Sequence, residues 1–159
     1  MPRSPHRLTA AIAALAILTA VAPATASAQP ASLNRLDYEA TNLQGHPDLV
    51  GGGVFDVTLG RRNGAREVHR VNGAAPSSLY TVSAQIYFAT SCRPDDPFGP
   101  VTIEEGILST NRAGNGRFIA RFPGSAFDTA PDEIWVRWQL LAGDQPAYAT
   151  ACTRIVIGP

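Results

Sequence analysis

The stretch Leu79-Tyr80-Thr81-Val82-Ser83-Ala84-Gln85-Ile86-Tyr87-Phe88 decides the fold class. Tyr80, Val82, Ala84, Ile86 and Phe88 share one parity, and Thr81, Ser83, Gln85 and Tyr87 the other, the period of a strand with one face in a core. The even parity continues to Cys92. Beyond it Arg93 to Pro100, with Pro94, Pro97, Gly99 and Pro100, cannot continue a ladder and reads as a rigid loop.

Working outward, the same period recurs. Upstream, Phe55, Val57 and Leu59 alternate with Asp56 and Thr58, Asn63-Gly64 offers a two-residue turn, and Arg66 to Val71 is the return strand. That turn sets Leu59 opposite Val68, Thr58 opposite His69 and Asp56 opposite Val71. Downstream, Val101 to Thr110 has β-type composition, and Asn111 to Gly116 forms a turn. Arg117 to Phe122 and Ile134 to Leu140 then alternate again. In the last segment, Ala147 to Ile157, apolar residues occupy both parities around Cys152, which marks a bulge. About seven strands separated by Gly, Pro and Asn turns predict an all-β domain, an antiparallel β-sandwich over 54–159.

The N-terminal part reads differently. Arg3 and Arg7 precede an apolar run from Leu8 to Ala22, Pro23 follows, and Ala26-Ser27-Ala28 has the small-x-small pattern of a signal-peptidase site. Residues 1–28 are therefore expected to be a signal peptide, cleaved between Ala28 and Gln29, with no stable membrane anchor left after cleavage. The expected localisation is secreted, extracellular or cell-envelope. Residues 29–53 form an N-terminal arm or lead-in, in which Leu33, Leu36, Ala40 and Leu43 fall at helical spacing after Ser32 until Pro47 and Gly51-Gly52-Gly53 intervene. A short helix, an ordered arm and a flexible lead-in all fit.

Removing 28 residues from 159 leaves 131, one domain of ordinary size. All 13 basic residues are arginine, and the mature chain sets 11 of them against 13 acidic residues, a net charge of −2. This balance gives no reason to expect nucleic acid as a partner, and the lack of lysine excludes Schiff-base chemistry. A monomer is expected. Export makes one intramolecular disulfide, Cys92 to Cys152, the simplest use of the two cysteines.

The cysteine spacing resembles the inter-sheet bridge of immunoglobulin domains, although Trp135 and Trp138 lie nearer the second cysteine than the first. A longer likeness runs through Ala75-Pro76, Tyr80-Thr81-Val82, Cys92, Leu108-Ser109-Thr110-Asn111, Gly114-Asn115-Gly116 and Cys152. In this order the chain resembles small exported bacterial immunoglobulin-like β-sandwich proteins of the actinobacterial type. The resemblance implies an immunoglobulin-like sandwich and carries no activity with it.

Four candidates for chemistry can be weighed. Asp56, Glu67 and His69 would gather with Thr58 on the polar face of the first hairpin, where a histidine beside carboxylates can act as a base or a weak metal ligand. A solvated sheet face explains the same pattern. Tyr87 and Trp135 share outward parity and would make an aromatic platform for a sugar or a protein. Asp95, Asp96, Glu104 and Glu105 lack the spacing of a calcium loop and read as charged turn residues. Ser125, in Gly124-Ser125-Ala126, has no nucleophile-elbow setting.

The sequence therefore predicts a non-enzymatic exported domain, with no cofactor and no metal, that recognises a protein or carbohydrate partner or has an extracellular structural role. The other readings are a secreted hydrolase or metal-dependent enzyme using Asp56, Glu67 and His69, and a protease inhibitor presenting the 93–100 loop.

Overall fold

The computed structural model describes residues 31–62, 64–88, 91–93 and 99–158. Within them the alternating segments become nine strands: β1 (Ala31–Ala40), β2 (Gly51–Gly60), β3 (Gly64–Asn72), β4 (Leu79–Tyr87), β5 (Val101–Ser109), β6 (Gly116–Phe122), β7 (Glu133–Ala142), β8 (Gln145–Thr150) and β9 (Thr153–Val156). A single 3-10 turn, Gly124–Phe127, interrupts them. The expected signal-peptide boundary at Ala28 and Gln29 lies outside the described residues. Among the described residues no helix is long and apolar enough to cross a membrane.

Pairing is antiparallel and continuous through one sheet in the order β5-β4-β7-β8-β1-β2-β3-β6, with β9 also on β7. The sheet curls until its two ends meet: β5 and β6, consecutive in the chain, share the bridge Thr110↔Gly116. Inside the curl lies a core that includes Val54, Val57, Tyr80, Val82, Leu108, Val136, Trp138, Leu140 and Tyr148. The inward parity predicted for Leu79 to Phe88 holds at Tyr80, Val82 and Ala84, which are buried, but Ser83 and Tyr87 of the other parity are buried as well and Phe88 is half-exposed.

The lead-in is part of this sheet. β1 pairs with β2 through its first residues, Ala31↔Leu59 to Asp37↔Gly53, and with β8 through Tyr38↔Thr150 to Ala40↔Tyr148. It thereby joins the two halves of the curl, and the helical spacing of Leu36 and Ala40 yields to that pairing. A period of two was also present, since Arg35, Asp37 and Glu39 alternate with Leu36, Tyr38 and Ala40. Gly53 belongs to the join as well: a Cβ there would collide with the carbonyl oxygen of Leu36.

The first hairpin departs from the expected register. Gly60 pairs with Gly64, so Leu59 faces Ala65 and Thr58 faces Arg66. A register shift between Phe55 and Thr58 then sets Phe55 opposite Val68 and Val54 opposite His69. A slip of this kind exchanges the two faces of a strand. Ala65, Glu67, His69 and Val71 consequently point into the core. Phe55 lies outside between two arginines, with the guanidinium carbons of Arg35 and Arg70 at 5.4 and 5.3 Å from its ring centre.

The two ends of the curl are finished differently. At one end the chain between β1 and β2 covers an aromatic group, in which His46 Nδ1 and the Tyr80 hydroxyl lie 2.9 Å apart and the Tyr148 hydroxyl donates to the Pro47 carbonyl at 2.9 Å. At the other end the 3-10 turn inserts Phe127, and Arg61 secures the following segment through Asp132 and the Ala130 carbonyl. The predicted last strand breaks at Ala151 and Cys152 into β8 and β9. There the disulfide Cys92–Cys152 forms, with Cα atoms 5.8 Å apart, and ties the chain beyond β4 to this break.

Candidate functional site

Two β-bulges bring charge into the core. On β2, Asp56 and Val57 together stand opposite Glu67 of β3. On β5, Glu104 pairs with Ser83 and Gly106 with Val82, which leaves Glu105 as the extra residue. A bulge re-aims its side chains, and this one needs glycine: Gly106 has φ 147°, and a Cβ would lie 2.6 Å from the ring of Phe118. Beyond the bulge the parity of β5 reverses, so Leu108 is buried while Ile107 is exposed.

The carboxylates converge on His69. Its Nε2 lies 3.0 Å from Glu105 Oε2 and 3.4 Å from Glu67 Oε2, and side-chain exposure is 0% for His69, 5% for Glu67 and 1% for Glu105. Neither approach has the alignment of a hydrogen bond, so His69 Nε2 and Glu105 Oε2 are ion-pair partners without a directed bond of their own. Two further contacts hold the cluster in place. The Trp138 indole N–H donates to Glu67 Oε2 at 2.8 Å, and His69 Nδ1 lies 2.8 Å from the Tyr38 hydroxyl.

Burial and charge act against each other here. Burial lowers the His69 pKa, but Glu105 and then Glu67 more than offset that, and the value is raised to about 8. Glu105 is raised to about 7, chiefly by burial and further by the charge of Glu67, against the opposing pull of His69. Tyr38 is pushed well above its usual value by burial, with Glu105 and Glu67 adding to the shift. The two carboxylates thus favour the protonated imidazole, the form in which Nδ1–H donates to the Tyr38 oxygen.

A cavity of about 260 Å³ opens beside the cluster, between the two halves of the curled sheet. Glu67, Glu105 and Trp138 form its inner end, and Ile86, Ile103, Phe122, Phe127, Ile134 and Val136 are among the apolar walls. Phe88 and Val101 line it too and are 50% and 47% exposed, which places them at the mouth. These two residues flank the proline-rich loop. Thr110↔Gly116 is the bridge between β5 and β6, and the cavity lies where the two strands part toward Val101 and Phe122.

The predicted site residues fare unequally. Glu67 and His69 do come together, but in the core and with Glu105 as the third member, because the hairpin register reverses their face. Asp56 lies at the β2 bulge, and its side chain is outside the described residues. Tyr87 and Trp135 are direct cross-strand partners, yet Tyr87 is buried and donates to Gln85 Oε1 at 3.1 Å, so the pair offers no flat exposed platform. Ser125 is exposed on the 3-10 turn. Asp95 and Asp96 lie outside the described residues, while Glu104 is exposed and Glu105 buried, so these two neighbours share no site. Composition gave no hint of the roles of Tyr38 and Trp138. The adjacent carboxylates Glu104-Glu105 before Gly106 in a β segment were the available sign of a bulge.

Chemically, the trio could hold a divalent cation, since one donor atom from each of Glu67, His69 and Glu105 lies within 4.8 Å of the others. It could equally receive a hydrogen-bond donor arriving through the cavity. No protein-family model, no curated protein and no solved structure matches the chain.

Proposed function

We propose that this chain is an exported, non-catalytic binding domain that holds a small apolar molecule inside its curled sheet. The observation that carries the reading is the 260 Å³ cavity with apolar walls and a partly exposed aromatic and aliphatic mouth. A cavity of roughly 150 Å³ lined by aliphatic and aromatic groups suffices for benzene, so this one has room for a larger guest. The disulfide accords with an oxidising compartment, and the reading of residues 1–28 as a cleaved signal fits the same address. The resemblance to exported immunoglobulin-like sandwiches belongs to this proposal, supported by the two sheet halves packed across one core. A protein or carbohydrate partner would meet the domain at the mouth, at Phe88 and Val101.

The test is titration with 1-octanol, followed by calorimetry and by Trp138 fluorescence, in the wild type and in Ala84→Leu. Ala84 lines the cavity from β4, so a larger side chain there fills space the guest needs. Saturable binding by the wild type and at least tenfold weaker binding by a folded Ala84→Leu variant is the expected result. Absence of saturable binding would remove the proposal.

A metal-dependent hydrolase is the second reading, favoured by the Glu67, His69 and Glu105 donors. It requires a stoichiometric rise in melting temperature with Zn²⁺ or Mn²⁺ that Glu105→Gln abolishes.

A further inference from the structure

The cavity is apolar along its walls and acidic at its inner end, and that asymmetry specifies the guest. Glu67 and Glu105 both line it, while His69, their cationic partner among the described residues, sits behind them against Tyr38 and Phe118. When both carboxyls are ionised they outnumber the imidazolium and leave an uncompensated negative charge beside the cavity, which burial otherwise relieves by favouring a proton on Glu105. Such a charge is costly unless it is neutralised by a proton or met by an opposite charge. Glu105 Oε2 supplies the direction: it is buried, it accepts no hydrogen bond, and its side chain borders the empty space.

We propose that the cavity takes an amphiphilic primary amine, whose ammonium group is received by Glu105 and Glu67 and whose hydrocarbon part fills the space out to Phe88 and Val101. An ammonium has three donors and no acceptor, so it satisfies Glu105 Oε2 without adding an unpaired acceptor of its own. It also brings the buried charges to balance, with two carboxylates facing one imidazolium and one ammonium. A fatty carboxylate meets two like charges at the same point. An alcohol of equal length can donate one hydrogen bond but leaves the net charge in place. The discrimination therefore comes from the acidic end, and the apolar walls contribute alike to all three classes.

This inference rests on the binding reading above, and one experiment separates the two. Octylammonium, 1-octanol and octanoate are titrated calorimetrically at pH 7 in the presence of a chelator, using the full mature domain and its Glu105→Gln variant. The expected order is octylammonium at least tenfold tighter than octanol, with octanoate weakest. In Glu105→Gln the amine's advantage falls at least fivefold while octanol binding persists, which also shows that the variant is folded. Equal affinities, or octanoate binding best, would overturn the amine assignment and leave the cavity reading standing. Failure of all three ligands would overturn both. An amine signal present without chelator and lost with it would assign the acidic end to a metal ion and likewise overturn the proposal.

Discussion

Trp138 shows how one side chain connects core and site, because its ring fills the interior while its indole N–H holds Glu67. Trp138→Phe keeps most of the apolar volume and removes the donor from a buried carboxylate. The expected cost is about 1.5–3 kcal/mol in urea denaturation, the range for hydrogen bonds to charged groups, and an unchanged midpoint would show that the bond contributes nothing. The titratable groups of the cluster give a second prediction at this scale. His69 has a pKa of about 8 against 6.5, so its stabilisation is complete below pH 6.5 and disappears as pH rises through 8. Glu105 has about 7 against 4.5, so the unfolded carboxyl ionises first and folding is penalised progressively across that window. Both slopes run the same way, and Tyr38, held well above its usual value, does not titrate there. Stability should fall between pH 5 and pH 8.5, by about 2 kcal/mol from His69 alone. A flat profile over that range would refute the coupling. Glu67 and His69 were legible as a pair from Glu67-Val68-His69, whereas their burial was not, since spacing along one strand does not say which face looks inward.

At the scale of elements, irregularity does what regular alternation cannot. An unbroken β5 with the parity of Ile103 and Glu105 would turn Ile107 inward; the bulge lets Glu105 and Leu108 both face the core. Gly106 carries that geometry, so Gly106→Ala must either abandon φ 147° or push aside Phe118. We expect about 1–3 kcal/mol of destabilisation together with weaker octanol binding, because Ile103 and Glu105 on the same strand line the cavity. A variant with wild-type stability and affinity would show that the bulge is dispensable. The strands themselves were readable wherever one residue type alternated with another, as in β4 and β7. What escaped the sequence was where the alternation slips: the pairing of Gly60 with Gly64, the bulge in β2 and the break between β8 and β9 each change a face without changing composition. β1 escaped for a different reason, since Leu33, Leu36, Ala40 and Leu43 fit a helix locally and only pairing with both β2 and β8 decides for a strand.

For the whole molecule, the decisive event is that the nine described strands curl as one sheet around a cavity, and the curl depends on contacts far apart in the chain. β1 must find both β2 and β8, and β3 must find β6, so the unfolded chain gives up much entropy before the curl is complete. The disulfide limits that loss. Cys92 and Cys152 are 60 residues apart, and the segment between them contains β5 to β8. Closing a loop of that length restricts the unfolded chain by about 4 kcal/mol on the chain-entropy account. A domain of this size has about 5–15 kcal/mol in total, so the bridge accounts for a large part of the margin. Reduction, or replacement of both cysteines by alanine, should therefore lower the urea midpoint markedly while leaving the strand signal in far-ultraviolet dichroism at low denaturant. The same treatment discriminates between two roles of the bridge, because it joins the chain just past Phe88 to the break between β8 and β9. If it acts on the unfolded state alone, octanol affinity measured well below the midpoint stays within about twofold of wild type, since entropy removed from the denatured chain leaves native contacts unchanged. If it also fixes the position of Phe88 at the mouth, affinity falls together with stability. Equal midpoints for the oxidised and fully reduced protein, with two free thiols confirmed by mass, would dismiss the bridge as a source of stability.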